Sequence, residues 1–220
     1  MTESVAKLAD FCAQNDLPWS PQVAEGFAAY LGLLGHFNKA MNLIGPLSEA
    51  EIVDGLLIDS ATAAAVCAPA RAHQASILDV GSGAGLPGIP LKLLYPDCPL
   101  TLVEPRRKRA TFLNIAKTRL GLDDVTIEQA RIEDVPPARY DYVISKAFQP
   151  PLEWLETASE WVSDGGVVMC LTRPGERKAL EERGAALGLE LVGACDDTTA
   201  LGAPRVGDVR GVYGFGPRSS

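Results

Sequence analysis

A doubly wound, largely parallel α/β sheet behind a helical N-terminal segment is the fold class this sequence predicts. Three observations carry it. From Ser76 onward, short apolar runs alternate with stretches of helical periodicity, a pattern that favours parallel strands joined by right-handed crossovers. The run 77–80 passes directly into Gly81-Ser82-Gly83-Ala84-Gly85. Bare backbone thus stands at the end of a strand, where open parallel sheets bind ligands. Upstream of Ser76, apolar residues recur at helical spacing instead.

In chain order, Ser20-Pro21 reads as an N-cap followed by proline at the first helical position. Val23, Phe27, Tyr30, Leu31, Leu34 and Phe37 then repeat at helical spacing. Ser48-Glu49-Ala50-Glu51 has the reciprocal capping-box pattern and opens a second long helix through Leu56 towards Val66. Residues 1–70 are therefore expected to form a helical extension packed on a main domain, 71–220. In that domain strands are expected at 77–80, 100–104, 125–128, 142–145 and 167–171. Helices are expected at 88–95, at 106–120 with Gly121 ending it, and at 152–161. Asp164-Gly165-Gly166 reads as a turn before the run 167–171, and 190–215 offers two further β-like pieces.

Composition excludes several function classes. The 220 residues are 47% hydrophobic and 22% charged, as in ordinary globular domains. No apolar run reaches about 18 residues, so no membrane span is expected. The N-terminus MTESVAKLAD lacks a basic-then-apolar secretory pattern. Cys12, Cys67, Cys98, Cys170 and Cys195 are odd in number and form no CxxC pair, which suits free thiols and a cytoplasmic location. With only His36 and His73 present, no metal site is expected. The net charge of −8 argues against non-specific coating of nucleic acid. Residues 101–146 nevertheless carry 9 basic against 7 acidic groups, the one net positive block of the chain. On charge alone a solvated helix face is the better explanation.

Glycine at 81, 83 and 85 permits positive φ and close approach of main chain to a ligand; a tight ligand-free turn is the plain alternative. A dinucleotide fingerprint would place its third glycine where Leu86 stands, and no Gly-Lys-Ser/Thr of a P-loop follows. Glu104 ends the second strand, 19 residues after Gly85. A carboxylate there accepts hydrogen bonds from both hydroxyls of a ribose, a feature that dinucleotide folds share.

Together these features resemble the class I S-adenosylmethionine-dependent methyltransferases, a Rossmann-like doubly wound fold. The match narrows further. NKAMNLIGP (38–46), DVGSGAGLPGIPL (79–91), RKRATFL (107–113), RIED (131–134) and ISKAF (144–148) occur in the order of the RsmG (GidB) family, which methylates N7 of a guanine in 16S ribosomal RNA. The resemblance covers roughly residues 20–175. It implies S-adenosylmethionine as cofactor, with 16S ribosomal RNA or the small-subunit particle as partner. It also implies a cofactor site from Gly81, Ser82, Gly83, Leu86, Glu104, Ile132, Glu133 and Lys146. Gly81 and Leu86 would line the methionine and adenosine side, Glu104 the ribose, and Ile132 and Glu133 the adenine. Lys146 would stand near both cofactor and target base.

RNA contact is expected from Arg106, Arg107, Lys108 and Arg109, from Asn38, Lys39 and Asn42, and from Arg173. Capping and turn formation would equally explain the asparagines. Four positions depart from the family pattern. Gly55-Leu56 replaces the common Arg-His, Ile44 a threonine, and Lys146 an arginine with its planar fork. Cys170-Leu171-Thr172-Arg173 stands where Ala-Leu-Lys-Gly is usual. Guanine N7 carries a lone pair and no proton, so the chemistry needs positioning and exclusion of water rather than a general base. No proton-transfer residue is expected. Two alternatives stay open: a methyltransferase acting on a small molecule or another RNA, and a cofactor-binding protein without turnover.

Overall fold

The computed structural model describes residues 2–66, 74–173, 175–201 and 211–217. Thr2 caps α1 (Glu3–Gln14). Ser20 Oγ accepts from the amide of Val23 at 3.2 Å, and Pro21 occupies the first position of α2 (Pro21–Met41). Ser48 and Glu51 close the reciprocal capping box that starts α3 (Glu49–Ile52). The expected second helix is not uniform. A π-helical turn, Val53–Leu57, interrupts it at Gly55 before α4 (Ile58–Val66) resumes. Glycine gives the backbone that freedom, and such turns recur at functional sites. The expected boundary near residue 70, with Cys67 and His73, lies outside the described residues.

The sheet follows as β1 (Ile77–Val80), α5 (Gly88–Leu94), β2 (Leu100–Val103), α6 (Arg107–Leu120) and β3 (Val125–Glu128). A 3-10 turn at Ile132–Asp134 leads to β4 (Tyr140–Ser145), α7 (Pro151–Ser159), β5 (Val162–Thr172), α8 (Arg177–Ala186), β6 (Leu189–Cys195) and β7 (Gly211–Pro217). Strand order is β3-β2-β1-β4-β5-β7-β6, parallel except for β7, which runs antiparallel between β5 and β6. The strand order reverses between β1 and β4, so their carboxyl ends open the crevice where such sheets take ligands.

Both faces of the sheet are covered, which explains the unbroken apolar runs. Ile77, Leu100, Leu102 and Ile144 join one core with α1–α6, including Leu8, Phe27, Leu34 and Phe112. Leu78, Val80, Val103 and Val143 join the other with α7 and α8. The N-terminal helices and the sheet therefore share one continuous core.

Two expectations are corrected here. Asp164-Gly165-Gly166 is not a turn ahead of a strand but a bulge inside β5. Tyr140 pairs with Val162 and Tyr142 with Val167, so the extra residues loop out. A side chain on Gly166 would come within 2.9 Å of the Asp141 carbonyl, which explains the glycine. The sequence pattern gives no sign of helix α8. Among its residues only Leu180 and Gly184 are buried, so it carries no apolar stripe to read.

Candidate active site

Val80 ends β1, and the chain turns at once through Gly81, Gly83 and Gly85 with φ of +71°, +58° and +89°. The turn is clamped by its own backbone. The amides of Gly81 and Ser82 donate to Val103 O at 2.9 and 3.1 Å, and those of Gly85 and Leu86 to Ser82 O at 2.7 and 3.0 Å. Ser82 is buried and its hydroxyl donates to Asp79 O at 2.8 Å, so its role is to hold the loop. Leu86 is buried beneath it.

Glu104 follows β2 and faces this loop. Its Oε2 accepts from the Gly83 amide at 2.9 Å and its Oε1 from the Arg106 amide at 2.8 Å. A carboxylate has about four lone-pair sites, so two remain for a ligand. Glu104 is only 2% exposed, deeper than a strand-end residue at an open cleft would be. Arg109 approaches it at 3.8 Å, its side chain about a third exposed.

Two buried groups that the motifs did not flag complete the loop's support. Asp79, within β1, accepts from the Gly88 amide through Oδ2 at 2.9 Å, while its Oδ1 has no partner. Burial, assisted by the charge of Glu104, pushes its carboxyl up to about 7. Tyr30 of α2 is fully buried and its hydroxyl donates to Ala84 O at 2.7 Å, tying the N-terminal helices to the glycine loop. Tyr30→Phe strands that carbonyl in the core. Urea unfolding should then show a loss of about 1–3 kcal/mol, with a weaker ligand affinity as the loop loses its tether. An unchanged midpoint would mean that the loop stands without Tyr30.

The expected RNA-side residues separate. Arg106, Arg107 and Lys108 are exposed at the start of α6, whereas Arg109 turns inward to Glu104. The edge-on pair Phe37–Phe112, with centroids 5.9 Å apart, brings the end of α2 beside the start of α6. Lys39 is exposed there. Asn38 is engaged within the chain: its amide group donates to Gly45 O and accepts from the Ile44 amide at 3.0 Å. Asn42 caps α2 with φ +50°. The turn-forming alternative accounts for both asparagines. Arg173 is exposed just beyond β5.

The remaining strand ends deliver Ile132 and Glu133 after β3 and Lys146 after β4. Ile132 is buried against the core that holds Val80 and Val103, and Glu133 is exposed. Five parallel strands thus bring their expected residues to one edge. A surface groove of ≈ 710 Å³ lies at the opposite sheet edge around Lys92 and Asp124, and one of ≈ 790 Å³ runs from Ile132 and Glu133 to Trp161. Neither includes the glycine loop.

Residues 23–191 match the model of the GidB family, described as rRNA small subunit methyltransferase G. Ribosomal RNA small subunit methyltransferase G of Nitratidesulfovibrio vulgaris (strain DP4) is 37% identical over 169 residues, 76% of this chain and 78% of that protein. The protein of the same name from Cellvibrio japonicus is 33% identical over 166 residues, covering 75% and 76%. This chain belongs to the GidB family. Its members are S-adenosylmethionine-dependent methyltransferases. The fold agrees: M. jannaschii TYW2, solved in complex with AdoMet, superposes with a TM-score of 0.56 over 73% of this chain and 74% of that one, at 17% identity.

The residues present fit the GidB cofactor. Gly81 and Gly83 give the loop two positive-φ positions without a Cβ, and Glu104 retains acceptor capacity for a diol. A GidB departure also acquires a physical meaning. Lys146 is engaged with the N-terminal helices: its ammonium donates to Asp59 Oδ2 at 3.0 Å and to Gly55 O at 3.2 Å. Lys146 and Gly55, which both differ from the family pattern, meet in space. Lysine, a compact point charge, satisfies one carboxylate and one carbonyl of the π-helical turn where arginine would spread its fork. Lys146 therefore fastens β4 to the N-terminal helices.

Proposed function

We propose that this chain methylates N7 of a guanine in 16S ribosomal RNA, acting in the cytoplasm on the RNA or on the small-subunit particle. The family match over residues 23–191, which spans the whole glycine loop and Glu104, carries the reading. S-adenosylmethionine supplies a methyl group activated by its sulfonium. On this reading Gly81, Gly83 and Leu86 border the cofactor, Glu104 accepts from its ribose, and Ile132 and Glu133 border the adenine. The helices of residues 1–70, an extension on the methyltransferase domain 71–220, support the loop through Tyr30 and offer Lys39 to RNA.

Guanine N7 needs no deprotonation, so the side chains have two tasks: to hold the cofactor and base in line, and to keep water out. Burial of Leu86, Ile132 and Glu104 serves the second. Among the described residues no group of three or more His, Cys, Asp or Glu side chains could hold a metal ion. No helix among them is long and apolar enough to cross a membrane. The deciding experiment is transfer of labelled methyl to small-subunit RNA from cells lacking this protein. Labelled guanine N7 is expected; unlabelled RNA alongside a labelled metabolite pool would move the substrate to a small molecule.

Arg106, Arg107 and Lys108 are the proposed phosphate contacts, since they are exposed at a helix start where the macrodipole disfavours cations. Phosphate contacts release counterions, giving a slope of about −0.7 per contact in log affinity against log salt on single strands. Arg106→Ala with Arg107→Ala should flatten that slope by about one to one and a half units while cofactor affinity barely moves. An unaltered slope with normal methylation would leave the basic run a solvated face.

A further inference from the structure

Three consecutive residues after β4 each carry a structural cost. Ala147 has φ +57°, a left-handed conformation that a residue with a Cβ seldom adopts. Phe148 leaves 36% of its surface in water. Gln149 has its side-chain oxygen buried without a partner. Costs gathered at one place point to a function. The place is the β1/β4 switch point: a side chain on Gly81 would come within 2.8 Å of Phe148 Cδ2. Phe148 thus walls the first glycine of the cofactor loop.

The ring is fixed rather than loose. Trp154 meets it edge-on, with centroids 6.1 Å apart at 87°. Trp154 is itself buried and donates through Nε1 to Met169 O at 2.8 Å. An exposed aromatic ring held in place at the mouth of the crevice is built for a flat partner.

We propose that Phe148 is the platform on which the target guanine stacks; this rests on the methyltransferase reading above. Every base offers a π-face, and aromatic platforms hold bases displaced from their own stack. Methyl transfer breaks the sulfur–methyl bond, leaves the electron pair on sulfur, and forms the bond to N7. No proton moves, and the positive charge passes from the sulfonium to the guanine ring. A ring face attracts that charge as it develops, so Phe148 stabilises the transition state more than the ground state. Its loss therefore lowers kcat and not only RNA affinity.

The test pairs steady-state methylation of small-subunit RNA from cells lacking this protein with calorimetric titration of S-adenosylhomocysteine. Phe148→Leu keeps the bulk and removes the π-face. It should lower kcat/KM about tenfold to a hundredfold, a stacking-sized loss at about 1.4 kcal/mol per decade, with part of it in kcat. S-adenosylhomocysteine affinity should stay within about threefold, and Phe148→Tyr or Phe148→Trp should recover most of the rate, consistent with aromatic faces being interchangeable platforms. A fully active leucine variant would overturn the proposal, as would a loss of S-adenosylhomocysteine affinity matching the loss of rate, which would give the ring to the cofactor. If the unmodified protein transfers no methyl to RNA, the functional reading fails first and this inference with it.

Discussion

Glu104→Ala should lower S-adenosylmethionine affinity by at least about tenfold, and by about a hundredfold if both ribose bonds depend on it. Hydrogen bonds to a charged group contribute about 1.5–3 kcal/mol each, and each 1.4 kcal/mol is about a decade in affinity. The substitution has a second consequence, because Glu104 is buried and holds the amides of Gly83 and Arg106. Alanine orphans both amides, so stability should fall as well. Glu104→Gln separates the effects: it keeps the size and one acceptor, while its amide nitrogen faces an N–H it cannot accept. Titration calorimetry beside urea unfolding checks both. Unchanged affinity in a folded Glu104→Ala protein would remove Glu104 from the cofactor site.

Where the sequence was legible, one stretch of chain contained the whole physical cause. The strand of Val125–Glu128, the caps at Ser20 and Ser48, and the glycine loop each follow from a few adjacent residues. The illegible features are produced by partners far away in sequence. Asp79 looks like an ordinary strand acid until parallel strands on both sides bury it. Phe148 meets Gly81 only because β4 lies beside β1. The motif around Lys146 places a basic group there but not its partner: the carboxylate it meets, Asp59, is 87 residues away. Arg109 differs from Arg106 and Arg107 by its position on the α6 surface, and periodicity alone could not say which turn faced Glu104.

Asp79→Asn should make the protein more stable at pH 8 and a poorer cofactor binder. The carboxyl of Asp79 ordinarily titrates at 3.8 and is pushed up to about 7 by burial and by Glu104. An acid raised in this way holds its proton more tightly folded than unfolded. Its contribution to stability is therefore fully present below the unfolded value and is lost as pH rises towards about 7. Three units correspond to about 4 kcal/mol at most. An amide of the same shape still accepts from the Gly88 amide and carries no charge, so the variant should recover about 2–4 kcal/mol at pH 8 and nothing near pH 4. Thermal unfolding of both proteins across that range measures the difference. The ionised fraction of Asp79 would put a negative charge beside the loop, and the ammonium of the cofactor's amino-acid end would gain from it if it docks there. Neutralising it should weaken S-adenosylmethionine about tenfold. A variant less stable than the parent at pH 8 would mean that Asp79 Oδ1 has a partner strong enough to keep it ionised, and the raised titration would fall with it.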